Sequence, residues 1–407
     1  MIENILKRED HRKYSLPQNE LERRWKAVRD RMAERKIDFL VMESQQRYCG
    51  SYVRYFIDLP GSNYPITAIF PLEGEITIVG HGAPPPARPM VPPAWALRGA
   101  WERLATEAMP NIYWENAFNA ERAVEAMMKK KPKTVGLVGL GIMSAALYEN
   151  LKKGLQGVNV IDATDLVDEV KMVKSEEELK LLREAAYMHE MSYEVLKKAL
   201  RPGRLAIEVI REVRLAQMQF GSEEQQVFIQ FGPPGHLEYM QMYPGNGFER
   251  RTLKDGDVVN ALIESNATGG YWYDLRRFLR IGSAAPNELK EAYDIAKEAK
   301  AIIAANLKPG SPTSVALEAS DQFLKSKGCP PESRVAGHGQ GVDLVERPII
   351  HRKEPAKLEA GMVLSFHPTA ITKFAVASIA DTYVVTDSGA VPMHENLFND
   401  NEIPVVG

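Results

Sequence analysis

The sequence predicts a protein of mixed helix and strand built as two domains, an α/β domain over residues 1–170 and an α+β domain over 171–407. Three observations lead there. At 407 residues the chain is long for a single core. Its first part alternates short apolar strands with amphipathic helices, as a layered α/β domain does. Near residue 170 that alternation ends. Ser175-Glu176-Glu177-Glu178 then reads as a capping box opening a long helix, after which strands and helices mix without alternating.

In chain order, Leu21, Trp25, Val28 and Met32 recur at helical spacing and predict a helix over 20–36. Asp38 to Met42 is a short buried strand. Two paired strands, 65–70 and 75–79, flank Pro71-Leu72-Glu73-Gly74 as a turn. The stretch from Pro84 to Pro93 holds six prolines and excludes both helix and central strand. A strand over 134–140, a helix over 144–155 and a strand over 158–162 complete the first domain. In the second, Leu179, Leu182, Ala186 and Tyr193 form the apolar face of the capped helix, which Pro202-Gly203 stops. Helices follow over 204–219, 286–306 and 314–327. Strands are expected at 257–264 and 271–281, then around 362–367 and 380–386.

Composition excludes several classes. Apolar residues make up 44% and charged residues 26%, ordinary for a globular protein. The net charge of −3 provides no basic surface for nucleic acid or an anionic membrane. Cys49 and Cys329 are far apart and form no Cys-x-x-Cys metal knuckle. The charged N-terminus lacks the apolar core of a signal peptide, and no run approaches a membrane span of ~20 residues. The expectation is a soluble cytoplasmic protein acting on a small molecule, with neither nucleic acid nor membrane as partner.

Thr134-Val135-Gly136-Leu137-Val138-Gly139-Leu140-Gly141 imitates a dinucleotide fingerprint, with Asp162 ending the next strand. Ser144 replaces the third glycine and no second mononucleotide half follows. The segment therefore reads as an ordinary βαβ unit with glycine used for tight helix–strand packing.

The chemistry lies near the C-terminus. Gly337-His338-Gly339-Gln340-Gly341 brackets a histidine with glycines that let backbone crowd the ring. His367 stands before Pro368 at the end of an apolar run. Asp274, in Tyr271-Trp272-Tyr273-Asp274-Leu275-Arg276-Arg277, lies on an apolar strand where an unpaired carboxylate is costly. It should pair with a metal, a histidine or Arg276.

With Lys174 to Glu178 and Leu253 to Val259, these motifs resemble the pita-bread family of creatinase, aminopeptidase P, prolidase and methionine aminopeptidase, over nearly the whole chain. The resemblance implies a pita-bread catalytic domain preceded by a smaller creatinase-type α/β domain. It maps the second metal aspartate onto Asp274 and the metal histidine onto His338. The first aspartate, eleven residues before Asp274, falls on Ile263, with Glu264 one residue later. The first metal glutamate becomes His367. The bridging glutamate becomes Ala380, and the peptidases' second histidine falls near Val345.

Without that bridge a dinuclear peptidase site is not expected, since two close cations need bridging carboxylates. Glu264, Asp274, His338 and His367 offer a donor set for one zinc, iron or manganese ion. The alternative is no metal, with the imidazoles working as acid and base as in creatinase. Glu264 has a second option, a salt bridge to Arg277. Glu346, beside Arg347, is a structural or catalytic acid, and His236 sits on a loop that could line the cleft. The remaining histidines, among them His189, His351 and His394, read as surface or locally bonded groups. Tyr273 and Arg54 are the substrate-contact candidates. The resemblance places Arg54 on a Tyr52 to Asp58 loop that closes a partner's active site, which implies a homodimer; its planar fork matches a carboxylate. The expected activity is creatinase-like hydrolysis of a C–N or related bond in a small polar metabolite. The rivals are a metal-dependent Xaa-Pro peptidase, a lyase of the same fold and a non-catalytic binding module.

Overall fold

The computed structural model describes residues 16–44, 51–59, 64–82, 99–106, 118–233, 250–267, 269–394 and 402–407. The chain divides into two compact units, Tyr14–Lys171 and Met172–Gly407.

In the first unit the described elements run α1 (Gln18–Glu34), β1 (Phe39–Ser44), α2 (Tyr52–Ile57), β2 (Ile66–Pro71), β3 (Ile76–His81), β4 (Ala100–Thr106), α3 (Phe118–Met128), β5 (Thr134–Val138), α4 (Ala145–Gly154), β6 (Asn159–Asp162) and α5 (Thr164–Met172). Six strands form one mixed sheet in the order β4-β3-β2-β1-β5-β6. The dinucleotide-like motif is the β5–α4 turn, and its glycines serve packing. A Cβ on Gly136 would meet Ala163 at 2.6 Å and Leu40 at 2.8 Å. Glu43 accepts from the Ser144 amide at 2.9 Å, so a carboxylate already takes the helix N-terminus that a pyrophosphate would need. The expected Tyr52 to Asp58 loop is instead helix α2. All six of its residues are buried, and Asp58 ends it in the left-handed conformation at φ 52°. The proline-rich stretch and Cys49 lie outside the described residues.

The second unit contains α6 (Glu176–Ala199), α7 (Ala206–Gln219), β7 (Gln225–Gly232), β8 (Val258–Asn266), β9 (Trp272–Ile281), α8 (Asn287–Asn306), α9 (Ser314–Ser326), β10 (Gly337–Gly339), β11 (Glu346–Ile350), β12 (Val363–Phe366), β13 (Thr369–Ile371), β14 (Val376–Ser378), β15 (Asp381–Thr386), β16 (Gly389–Pro392) and β17 (Val405–Val406). The capping box at α6 forms as expected: Ser175 Oγ accepts from the Glu178 amide at 3.2 Å, and Glu178 accepts from the Ser175 amide at 3.0 Å. Two sheets dominate, β17-β9-β8-β7 and β11-β10-β12-β15-β16, with β13-β14 as a separate hairpin. Strands β8 and β9 are buried along their whole length, although β8 carries Glu264 and β9 carries Asp274, Arg276, Arg277 and Arg280, so these buried charges must find partners. The two sheets meet through β9: Trp272 N donates to Gly341 O at 2.8 Å and Arg276 N to Ala380 O at 3.1 Å. Asp274 lies between these contacts. Among the described residues, no helix is long and apolar enough to cross a membrane.

Candidate active site

Strand β10 is the middle partner of β11 and β12, and the glycines around His338 follow from that crowding. A Cβ on Gly337 would meet Ser365 O at 2.3 Å, and one on Gly339 would meet Arg347 O at 2.4 Å. The glycines therefore do have a packing role, which their spacing alone did not reveal. They let three backbones close around the histidine. His367 is held from the same place, its amide donating to Ala336 O at 3.0 Å.

Asp274, fully buried on β9, faces both imidazoles. His367 Nε2 lies 3.1 Å from Oδ2 and His338 Nε2 3.8 Å from it. Ser365 Oγ donates to the other oxygen, Oδ1, at 2.6 Å and stands 3.3 Å from His367 Nε2. The two rings are 5.2 Å apart between centroids. Because His338 Nδ1 sits 3.0 Å from Gly339 O, it carries the proton and donates to that carbonyl, leaving the Nε2 lone pair toward Asp274.

Burial alone would raise the Asp274 carboxyl. The charge and hydrogen bond of His367, then His338 and the Ser365 hydroxyl, outweigh burial and hold it well below the usual carboxylate range. Burial, and then the neighbouring His367, push the His338 imidazole down. The register pairs Glu264 with Asp274 and Ile263 with Leu275. Side chains alternate along a strand, so Glu264 shares the Asp274 face while Ile263 points away from it. The one-residue displacement of the acid thus returns a carboxylate to this face. Burial, and next the charge of Asp274, push the Glu264 carboxyl up to about 7, against His367 and Arg276.

The donors fit one divalent cation. Asp274, His338 and His367 each offer a ligand atom, all within 4.8 Å of one another. Asp274 Oδ2 is the oxygen that faces both Nε2 atoms, at 3.1 Å from His367 and 3.8 Å from His338, so a cation between them would meet all three donors. Glu264 is not part of that close group but stands opposite Asp274 across the strand pair. At the two positions where the family resemblance expected further carboxylates, Ala380 presents a methyl group and Ile263 lies on the other face.

Several expected site residues lie elsewhere. Tyr273 is 0% exposed on the opposite face of β9, its ring 5.1 Å from that of His189, so it lines no cleft. Glu346 is held by Lys174 Nζ at 2.7 Å and the Asp343 amide at 3.0 Å, with both charged side chains buried; it braces the loop after His338, and its charge acts on the His338 imidazole. Glu264 does not bridge to Arg277, which instead pairs with Asp381 at 2.7 Å. Arg54 is on α2 and is buried, at 8% exposure. His236 lies outside the described residues. Of the histidines read as superficial, His189 is 0% exposed and His394 stands 3.5 Å from buried Asp381, while His351 makes only a local contact, accepting from Lys353 N at 3.1 Å. Sequence reasoning missed Ser365. Its signal was the strand itself, since a residue two before His367 on an extended run shares its side.

A buried donor cluster where two sheets meet, in a unit preceded in the chain by a smaller α/β unit, fits the pita-bread class. The profile of metallopeptidase family M24 matches residues 180–387, just over half the chain, and the chain belongs to that family. It is 25% identical over 258 residues to the uncharacterized peptidase YqhT of Bacillus subtilis, covering 61% of this chain and 69% of that one. To the Xaa-Pro dipeptidase of Pyrococcus furiosus it is 24% identical over 265 residues, 64% of this chain and 73% of the other. Among solved structures, the X-Pro aminopeptidase from Thermotoga maritima superposes with a TM-score of 0.77 at 18% identity, over 94% of this chain and 99% of that one. Dipeptidase PepE from Mycobacterium ulcerans gives 0.75 at 23% identity, over 97% and 100%. These structural likenesses carry the fold, including the N-terminal unit. The relatives are hydrolases, and none of them supports the lyase option.

Proposed function

We propose that this chain hydrolyses the C–N bond of a small peptide-like substrate at the Asp274–His338–His367 cluster. The observation that carries the reading is the convergence of those three donors within 4.8 Å around a buried carboxylate oxygen. The relatives' names favour Xaa-Pro dipeptides as the first substrates to try, ahead of the creatinase-like reading.

Asp274, His338 and His367 would hold one divalent cation. Such an ion polarises a carbonyl and acidifies a bound water. The chain's own residues then have distinct tasks. Gly339 O fixes the His338 tautomer, and Ser365 orients the Asp274 carboxylate between the two rings. Glu264, across the strand pair from Asp274, is placed to take a proton from the attacking water and return it to the leaving nitrogen. Burial of the whole face strengthens each of these interactions by excluding water.

A second reading, metal-free and creatinase-like, is favoured by the missing bridge at Ala380. There His338 and His367 would themselves move the proton. One experiment separates the two. The purified chain is dialysed against chelator, then assayed for proline release from Xaa-Pro dipeptides with and without added zinc, iron or manganese. Ion-dependent proline release supports the peptidase reading. Unchanged activity without ions favours the second reading, and no release under any condition sets Xaa-Pro dipeptides aside.

A further inference from the structure

Arg276 follows Asp274 by two residues on β9, so its side chain rises from the face that carries Glu264 and Asp274. It is 7% exposed, and Nη1 donates to Ser378 Oγ at 2.7 Å. Thr369 Oγ1 lies 3.1 Å from that same hydroxyl and 3.2 Å from the His367 carbonyl. The guanidinium is thereby tied to the turn that delivers His367, and cannot swing away without disturbing it. Arg276 also faces Ala380 in an isolated antiparallel bridge, with N···O distances of 3.1 and 3.4 Å. Paired residues of an antiparallel bridge project to the same side, so the arginine stem and the alanine methyl lie next to each other. The position that lacks a carboxylate is thus the one beside the Arg276 side chain. The Arg276 charge acts on Glu264 together with His367.

Two buried carboxylates opposed across a strand pair need positive charge nearby, and a mobile divalent ion is one source of it. A guanidinium cannot be deprotonated in a protein and so is a permanent source. We propose that Arg276 stands in for a second cation, neutralising the Glu264–Asp274 face from within the chain and holding the site to one ion. The fixed charge repels a further divalent ion, and the alanine denies it a bridge. The two residues are consistent with each other: a carboxylate at position 380 would be drawn to the guanidinium instead of to a metal.

This deepens the ion-holding reading of Asp274, His338 and His367, and the test keeps the two apart. The full-length chain is equilibrated with Mn²⁺ alone and its metal content measured, alongside Ala380→Glu and the pair Arg276→Gln with Ala380→Glu. The expected result is one equivalent in the wild type, one in Ala380→Glu and two in the double variant, with circular dichroism unchanged. A second equivalent in Ala380→Glu alone overturns the proposal, as does a double variant that takes up no more than Ala380→Glu. Should the double variant fail to fold, Ala380→Glu still decides: two equivalents overturn the role of Arg276 and one supports it. A wild type that takes up no ion overturns the ion-holding reading, while the step between the two variants continues to judge Arg276.

Discussion

His367 and His338 both reach Asp274 Oδ2, at 3.1 and 3.8 Å, yet neither ring is wedged into an apolar core. Removing either imidazole should therefore affect chemistry more than folding. His367→Ala is expected to lower kcat by roughly 10²-fold or more, the usual cost of a lost acid–base group, with a near-native melting profile. His338→Ala should be as damaging. His351→Ala should leave turnover nearly unchanged, because that ring only accepts from Lys353 N. Near-normal turnover in His367→Ala would make the histidine structural. Gly337 tests the scaffold beneath these rings. A methyl there would lie 2.3 Å from Ser365 O, a backbone atom that cannot yield, so Gly337→Ala should cost about 1–3 kcal/mol in urea unfolding and impair turnover by displacing His338.

Helix α6 carries its own test. His189 is buried, its Nδ1 bonded to Ala185 O at 2.8 Å, and burial lowers its pKa from 6.5 to about 4. Between those values the unfolded chain binds a proton that the folded chain refuses. Stability from this residue is thus complete above pH 6.5 and is lost as pH falls toward 4, by roughly 3 kcal/mol in all. His189→Asn, which keeps a donor for Ala185 O, should lose less stability than the wild type between pH 7 and pH 5 in urea titrations; equal losses would discount the buried imidazole. Strand β11 provides a second test through the buried Lys174–Glu346 pair. Lys174→Met strands the Glu346 charge and is expected to cost about 3–5 kcal/mol. Glu346→Gln should change stability more than kcat, because the carboxylate is already committed to Lys174 Nζ and the Asp343 amide.

At the scale of the whole molecule, the resemblance read from the sequence leads us to expect a homodimer with an interface of about 2,000 Å² or more. Light scattering at micromolar concentration should report twice the chain mass of 45.6 kDa. A monomer there would set the expectation aside. The burial of α2 already shows that the segment once expected to reach a partner is engaged in its own unit. What local sequence determined is clear in particular elements. The Ser175–Glu178 capping box and the Gly-His-Gly bracket are short-range patterns, and each set its own structure. Asp274, His338 and His367 were legible because each stands in a motif readable within a few residues. Tertiary structure alone decided the rest. Which face Glu264 occupies depends on the register between β8 and β9, and one residue of slip would have exchanged it with Ile263. Glu346 meets Lys174 across 172 residues of chain, and Arg276 meets Ser378 across 102. No local pattern encodes such meetings, because they arise only when packed sheets bring distant strands together and buried charge must find a partner.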